Sequence, residues 1–361
     1  MTAQLTHPTF DAAKAEAFAD RLLTMLNHGG LALMISIGHR TQLFDTLAAL
    51  PSATSQQIAE AAQLQERYVR EWLDAMTVGG LVDYDPTCQT YQLPAEHAAF
   101  LTRAATSDNI ATLFQHISGL GLVEDAIVGC FKAGGGVPYS SFKRFHAIMA
   151  EDSAQTIVAA LEDHILPIVP EVTVQLSAGI DVLDVGCGSG RAINRLAQLF
   201  PASRFTGYDF SADAIAAAKT AAAGLTNVQF QVKDVAQITE QARYDLITTF
   251  DAIHDQAHPD RVLRNIYNAL RPGGVYLMQD IRASSQVQNN LDHPMGSFLY
   301  TISCMHCMTV SLAEGGMGLG TMWGREKALE MLQSAGFTSI ERKELPHDIA
   351  NDYYVIRKGD A

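Results

Sequence analysis

The sequence predicts an α/β protein: an open, largely parallel sheet with helices on both faces, preceded by a helical domain that carries a two-stranded wing. Three observations predict it. Val182 to Arg191 reads as a buried strand, a glycine-rich turn and the start of a helix. From there strand and helix alternate in short units, the pattern of a parallel sheet covered on both faces. The N-terminal third, by contrast, is helical in its apolar spacing until Gly79-Gly80, where two short strands follow. The boundaries expected from these shifts are 1–104, 105–176 and 177–361.

The 361 residues are 48% hydrophobic and 18% charged, enough apolar material for a large core. The net charge of −14 argues against binding nucleic acid or anionic membrane by bulk electrostatics. Five scattered cysteines do not make a disulfide framework and point to a reducing compartment. Met1 to Asp20 has no apolar core of a signal peptide, and the apolar run Leu31 to Ile37 is too short to cross a bilayer. A cytoplasmic location is expected.

In chain order, Asp11 to Leu26 is an amphipathic helix with Phe18, Leu22, Leu23 and Leu26 on one face. A second apolar block, Leu31 to Ile37, and a helix around Leu43 to Leu50 follow. Thr54 or Ser55 caps a short helix, and Glu66 to Val78 forms a longer one with Val69, Trp72, Leu73 and Met76 inward. Leu81 to Tyr84 and Thr90 to Leu93 then pair as a wing, completing a winged-helix pattern. A groove-reading helix needs clustered cations. Here Arg67 and Arg70 are interleaved with Glu66, Glu71 and Asp74, and the wing carries Asp83 and Asp85. The domain is therefore expected to dimerise rather than bind DNA, giving a homodimer; a winged-helix transcription regulator that senses a cofactor is the competing reading.

Ala105 to Leu176 is helical apart from the break Gly134-Gly135-Gly136-Val137-Pro138. Tyr139, Phe142, Phe145 and His146 follow that break and are candidate pocket residues, and Ala154 to Val169 is expected to be a helix.

In the C-terminal domain the turn Gly186-Cys187-Gly188-Ser189-Gly190 lets the backbone approach a ligand, and the helix after it opens with free N–H groups. Taken alone, such a turn serves a nucleoside-type cofactor, a nicotinamide or flavin, or no ligand at all. The second strand, Arg204 to Asp209, ends in a carboxylate a little over twenty residues past Gly186, where it can accept from both hydroxyls of an adenosine ribose. The third, Val228 to Val232, leads to Asp234, which can accept from an adenine amino group, and to Val235, which can pack on the ring. The fourth, Tyr244 to Phe250, leads to Asp251-Ala252-Ile253-His254-Asp255. Pro259 opens the next helix, and Arg271-Pro272-Gly273-Gly274 turns into the fifth strand, Val275 to Gln279.

This ordered set, Val182–Arg191, Gly207–Asp209, Lys233–Val235, Tyr244–Asp255 and Leu270–Gln279, resembles the S-adenosylmethionine-dependent class I methyltransferases. The resemblance implies a Rossmann-like domain whose seven-stranded sheet ends in an antiparallel strand, matched by Ala350 to Lys358, with Gly336 to Ile340 before it. With the winged helix and helical connector, the chain resembles small-molecule O-methyltransferases that dimerise through their N-terminal domain, and a bacterial winged-helix methyltransferase group. The phrases Arg67–Leu73 and Gly318–Gly324 look closer to the second. By resemblance, Gly186, Cys187, Gly188 and Gly190 line the methionine end of S-adenosyl-L-methionine with Asp184 below. Asp209, with Phe210 beside it, takes the ribose; Asp234 and Val235 take the adenine; and Phe250 sits by the sulfonium.

Methyl transfer needs an aligned acceptor and a base for its proton. His254, beyond the end of the fourth strand, is the expected base, with Asp255 beside it; the pair resembles the His-Asp of the O-methyltransferases. The aromatic and charged neighbours of the plant-type pattern are absent and Gln256-Ala257-His258 follows, so a phenolic acceptor is not implied. His254, Asp255 and His258 also read as metal ligands, but Pro259 starts the helix after them and no metal is expected. Ile281 to Met322 is a Met- and Cys-rich insertion expected to build the acceptor pocket, through Met295, His306 and Cys307. Cys304 and Cys307 leave open a thiol or metalloid acceptor. The reaction expected is methylation of oxygen, sulfur or nitrogen on a small molecule.

Overall fold

The computed structural model describes residues 10–359, so the first nine residues of the stretch read for a signal peptide lie outside the described residues. The chain forms two compact units, 1–105 and 106–361.

In the first unit, α1 (Ala12–Arg40) is one 29-residue helix. The Asp11–Leu26 helix and the Leu31–Ile37 block are parts of this one helix: no atom crowds Gly29 or Gly30 between them, and Ala32, Ile35, Ser36 and His39 bury the last turns. Trp72 holds it there through an indole N–H bond to the Met34 carbonyl at 2.8 Å. After α2 (Leu43–Ala49), the Thr54–Gln57 capping box starts α3 (Ser55–Ala62). α4 (Glu66–Val78) buries Val69, Trp72, Leu73 and Met76, the face its spacing predicts. β1 (Asp83–Asp85) pairs antiparallel with β2 (Thr90–Gln92) as the wing, and α5 (Ala95–Leu101) closes the unit. On α4, Arg67 pairs with Glu71 and Arg70 with Glu66, so the cations a groove-reading helix would offer to phosphate are already neutralised.

The second unit opens with α6 (Phe114–Gly121), α7 (Glu124–Ala133), α8 (Phe145–Ser153) and α9 (Pro170–Ala178). Between α8 and α9 the expected regular helix is instead two π-helical turns, 154–158 and 161–165, and a 3₁₀ turn at Leu166–Ile168 around Pro167. A proline there cannot supply the N–H that an α-helix needs.

The sheet follows: β3 (Asp181–Val185), β4 (Arg204–Asp209), β5 (Val228–Val232), β6 (Tyr244–Phe250), β7 (Leu270–Ile281), β8 (Ser339–Lys343) and β9 (Asn351–Arg357). Their order is β5-β4-β3-β6-β7-β9-β8, with β9 antiparallel to both neighbours. This is the predicted seven-stranded, Rossmann-like sheet. α10 (Arg191–Leu199), α11 (Ala212–Ala221), α12 (Pro259–Ala269) and α15 (Gly324–Ala335) cover it. Val182 packs in the core cluster of one face and Leu183 in that of the other, so the central strand is buried on both sides. The chain order reverses beside β3, and at such a switch point a crevice opens beyond the carboxyl ends of the strands. The insertion folds as α13 (Gly296–Ile302), a π-helical turn at Ser303–Cys307, and α14 (Met308–Ala313). No helix among the described residues is long and apolar enough to cross a membrane.

Candidate active site

A cavity of about 700 Å³ lies beyond the carboxyl ends of β3, β4 and β6, walled on its remaining sides by the connector and the insertion. One wall is the glycine turn. Gly186 and Cys187 donate their N–H groups to the Tyr208 carbonyl at 2.9 and 3.1 Å, which pins the turn to β4. Gly188 and Gly190 adopt φ of +52° and +71°, which glycine takes without strain. A Cβ on Gly188 would meet open space; on Gly190 it would strike the Phe230 ring at 2.9 Å. Behind the turn, Asp184 is 3% exposed and accepts from the Thr248 hydroxyl at 2.7 Å. Burial pushes its pKa up to about 7, against the pull of that hydrogen bond.

Asp209 ends β4 facing the cavity. One of its oxygens accepts from Gly188 N–H at 2.9 Å and the other from Ser211 N–H at 2.8 Å, which fixes the carboxylate and leaves a further lone pair on each oxygen. Asp234 is held alike by Ala236 N–H and Gln237 at 2.9 and 2.6 Å. Val235, Phe210 and Phe250 complete this end of the wall.

After β6, Asp251 takes φ +55°, a conformation that costs a non-glycine residue energy and that concentrates at functional sites. The bend brings His254 inward, where it is 2% exposed and lines the cavity. Its Nδ1–H donates to Asp280 at 2.9 Å, and Asp251 lies 3.6 Å away. The same Asp280 oxygen also accepts from the Trp323 indole N–H at 2.9 Å and from Ile281 N–H at 2.8 Å. This clamp sets the histidine tautomer and leaves Nε2 as the proton acceptor. Burial opposes a charge on His254, but Asp280 first, then Cys307 and Asp251, outweigh it and raise the pKa well above the ordinary value. Asp255 lines the cavity, and burial pushes its carboxyl up to about 7. Asp251, His254 and Asp280 offer one ligand-type atom each within 4.8 Å of one another, a different trio from the His254, Asp255 and His258 of the sequence reading.

Of the pocket residues expected from sequence, Tyr139, His146, Met295 and Cys307 line the cavity. Phe142 and His306 do not, and this corrects their assignment. Phe142 sits in an apolar cluster with Leu120, Val123 and Val137. His306 is fully buried, stacked on Phe145 with ring centres 3.5 Å apart and edge-on to Phe142 at 4.6 Å. Cys307 faces the cavity, while its neighbour His306 turns into the aromatic cluster of Phe142 and Phe145. Burial raises the pKa of both Cys187 and Cys307, which disfavours a thiolate at either. Cys304 is absent from the wall. Asp280, Trp323, His116 and Asp152 were not singled out by sequence; Asp280 reaches His254 from 26 residues downstream and Trp323 holds Asp280 from 43 residues beyond that, outside any local spacing signal.

Residues 29–103 match the family model described as an Rv2258c-like winged HTH domain, and residues 176–336 match one described as a methyltransferase domain. The chain joins a winged helix-turn-helix domain to a methyltransferase domain. Among curated relatives, malonyl-[acyl-carrier protein] O-methyltransferase of Bacillus cereus is 29% identical over 153 residues, 40% of this chain and 56% of that one. Trans-aconitate 2-methyltransferase of Deinococcus radiodurans is 35% identical over 98 residues, 27% of this chain and 36% of the relative. The chain thus spans about half or less of the length of these relatives. Among solved structures, human N-acetylserotonin methyltransferase in complex with SAM superposes with a TM-score of 0.65 at 17% identity, over 98% of this chain and 100% of that one. At that identity the likeness establishes a shared fold, the class I methyltransferase architecture behind a helical domain.

Proposed function

We propose that the chain is an S-adenosyl-L-methionine-dependent methyltransferase that methylates oxygen, sulfur or nitrogen on a small molecule, with His254 as general base. The observation that carries this reading is that one cavity joins the glycine turn, Asp209 and Asp234 to His254 with its Asp280 clamp. The wall suits the cofactor: Gly188 leaves open the space a Cβ would fill, Asp209 retains lone pairs for ribose hydroxyls, and Val235 offers an apolar face. When bound, the cofactor supplies an activated methyl group.

The protein's own part is to orient the acceptor and take its proton. The acceptor's O–H, S–H or N–H proton passes to Nε2 of His254, while Asp280 holds Nδ1–H and balances the imidazolium that results. Because the Asp280 and Asp251 carboxylates raise the His254 pKa, the base is free only on the alkaline side of its ordinary range. A thiol or metalloid acceptor held by Cys304 and Cys307 draws no support from a wall that includes only one of them.

We also infer a homodimer. Over residues 16–30 every side chain of α1 is exposed, including Phe18, Leu22, Leu23, Met25 and Leu26, an apolar face of the kind that partners cover. With Arg67 and Arg70 ion-paired, the winged helix is better suited to this role than to DNA in the cytoplasm.

The test is a cofactor-consumption screen over phenols, carboxylates, thiols, amines and metalloids, with mass detection of methylated product. Turnover that falls in His254→Ala at unchanged cofactor affinity supports the assignment; turnover unchanged across pH overturns it.

A further inference from the structure

One end of the cavity, beyond β7, collects open oxygens. Asp152, in the last turn of α8, lines the cavity, and its carboxylate makes no hydrogen bond or ion pair among the described residues. Its charged neighbours are Asp251, Asp348 and Glu151; burial first, then their repulsion, pushes its pKa up to about 7. Asp251 presents an Oδ1 that is buried without a hydrogen-bond partner, with His254 Nδ1 3.6 Å away. Gln279 is 2% exposed and lines the cavity, and its Oε1 is also buried without a partner. An oxygen buried in that way costs free energy unless a ligand brings it a donor.

The topology puts these groups on one face. On β7, Val275 and Leu277 lie in the core cluster that includes Ile157 and Leu161 of the connector, as does Tyr353, which sits opposite Gln279 in the ladder. Alternation along the strand therefore turns Gln279 toward the connector. Tyr353 donates its hydroxyl to Asp348 at 2.9 Å, and Asp251 donates its N–H to the Gln279 carbonyl at 3.0 Å. Neighbouring strands lie about 4.8 Å apart, so β7, two strands from β3, stands about 10 Å from the glycine turn. The cofactor wall runs the other way, to Asp209 on β4 and Asp234 after β5. The open oxygens thus lie on the methyl acceptor's side, in a cavity that Met295, Phe298, Leu299 and Ile302 make apolar elsewhere.

A metal ion holds its oxygen ligands about 2.0–2.6 Å away. Among the described residues the trio that comes within 4.8 Å is Asp251, His254 and Asp280, and neither Asp152 nor Asp348 joins it. An ammonium group suits a wider set: it offers three donors, at about 2.7–2.9 Å, to oxygens arranged around it. It also relieves the repulsion of carboxylates enclosed together. His254 offsets part of the Asp251 charge and is not among the charged neighbours of Asp152, so Asp152 is the carboxylate left for a ligand. We propose that Asp152, with Asp251 and Gln279, binds a primary ammonium group on the methyl acceptor, an amine carried on an apolar body. This rests on the methyltransferase reading of the cavity and names its substrate class. The ammonium anchors the acceptor, and a separate O–H, S–H or N–H of the same molecule meets His254.

The test titrates an isosteric pair, naphthylethylamine and naphthylethanol, into the protein loaded with S-adenosylhomocysteine, at a pH above the Asp152 value of about 7. Binding of S-adenosylhomocysteine is read first and reports on the methyltransferase reading alone. The amine should bind at least about tenfold more tightly than the alcohol, the equivalent of one charge-assisted hydrogen bond. Asp152→Asn should remove that preference with S-adenosylhomocysteine affinity and thermal unfolding kept, and Gln279→Leu should weaken the amine more than the alcohol. With S-adenosylhomocysteine bound, the proposal is overturned by the alcohol binding as well as the amine, by no binding of the amine, or by an unchanged preference in either variant. A further arm compares S-adenosylhomocysteine with its deaminated analogue. If Asp152→Asn weakens the first about tenfold and leaves the second unchanged, the oxygens hold the cofactor's own ammonium, and the assignment to the acceptor is overturned.

Discussion

Alanine at two glycines of the same turn should have opposite consequences. Gly188 and Gly190 share a left-handed backbone, at φ +52° and +71°. Alanine in that region costs about 1–2 kcal/mol. At Gly188 the new methyl meets nothing within 4 Å, so this backbone cost is the whole stability effect. At Gly190 the methyl also strikes the Phe230 ring at 2.9 Å and the Ala218 Cβ at 3.0 Å, both in the packed core beneath the turn. Overpacking of that kind adds about 1–3 kcal/mol. Gly190→Ala should therefore lose about 2–5 kcal/mol, a large part of the stability of an ordinary domain. For cofactor the order reverses. The space at Gly188 opens on the cavity, so Gly188→Ala should stay folded and lose S-adenosylmethionine. Urea unfolding gives the first comparison and titration calorimetry the second. Equal unfolding midpoints for the two variants, or full cofactor affinity in Gly188→Ala, would refute the reasoning.

Three further outcomes follow. The His254 pKa is raised, so between its ordinary 6.5 and the raised value the imidazole is protonated and cannot accept a proton. Turnover should climb with pH through the raised value, and Asp280→Asn should move that limb to lower pH in a kcat/KM profile. By the same linkage, the stability from the His254–Asp280 pair is fully present below pH 6.5 and is lost as pH rises through the raised pKa, which denaturant midpoints across pH would show. Charging the exposed apolar face of α1, as in Leu22→Glu with Leu26→Glu, should give a monomer by light scattering at unchanged helicity; a persistent dimer would place the interface elsewhere.

The sheet was legible in the sequence because its strands announce themselves. Arg204–Asp209, Val228–Val232 and Tyr244–Phe250 have in the structure the ends their apolar runs and flanking turns predict. The site residues that end strands, Asp209 and His254, were legible for the same reason. What local pattern cannot encode is radial position. Cys307 and His306 are adjacent, and only the packing of α13 and α14 decides that one faces the cavity and the other Phe145. Nor can it encode a clamp assembled from β7 and the start of α15, in which Asp280 holds His254 and Trp323 holds Asp280. Local pattern also gave the Asp11–Leu26 helix and the Leu31–Ile37 block without their continuity: Gly29 and Gly30 each cost about 1 kcal/mol in a helix, and burial of Ala32, Ile35 and His39 carries α1 through them.

The most direct test of the central claim, that one cavity holds both the methyl donor and the base, is calorimetric titration of S-adenosylmethionine into wild type, Asp209→Ala and His254→Ala, with turnover measured on the same samples. Loss of the two ribose hydrogen bonds to a carboxylate should weaken binding in Asp209→Ala by about 10²–10⁴-fold. His254→Ala should bind as wild type does and turn over about 10²–10⁴-fold more slowly. Full affinity in Asp209→Ala, or undiminished turnover in His254→Ala, would contradict the account.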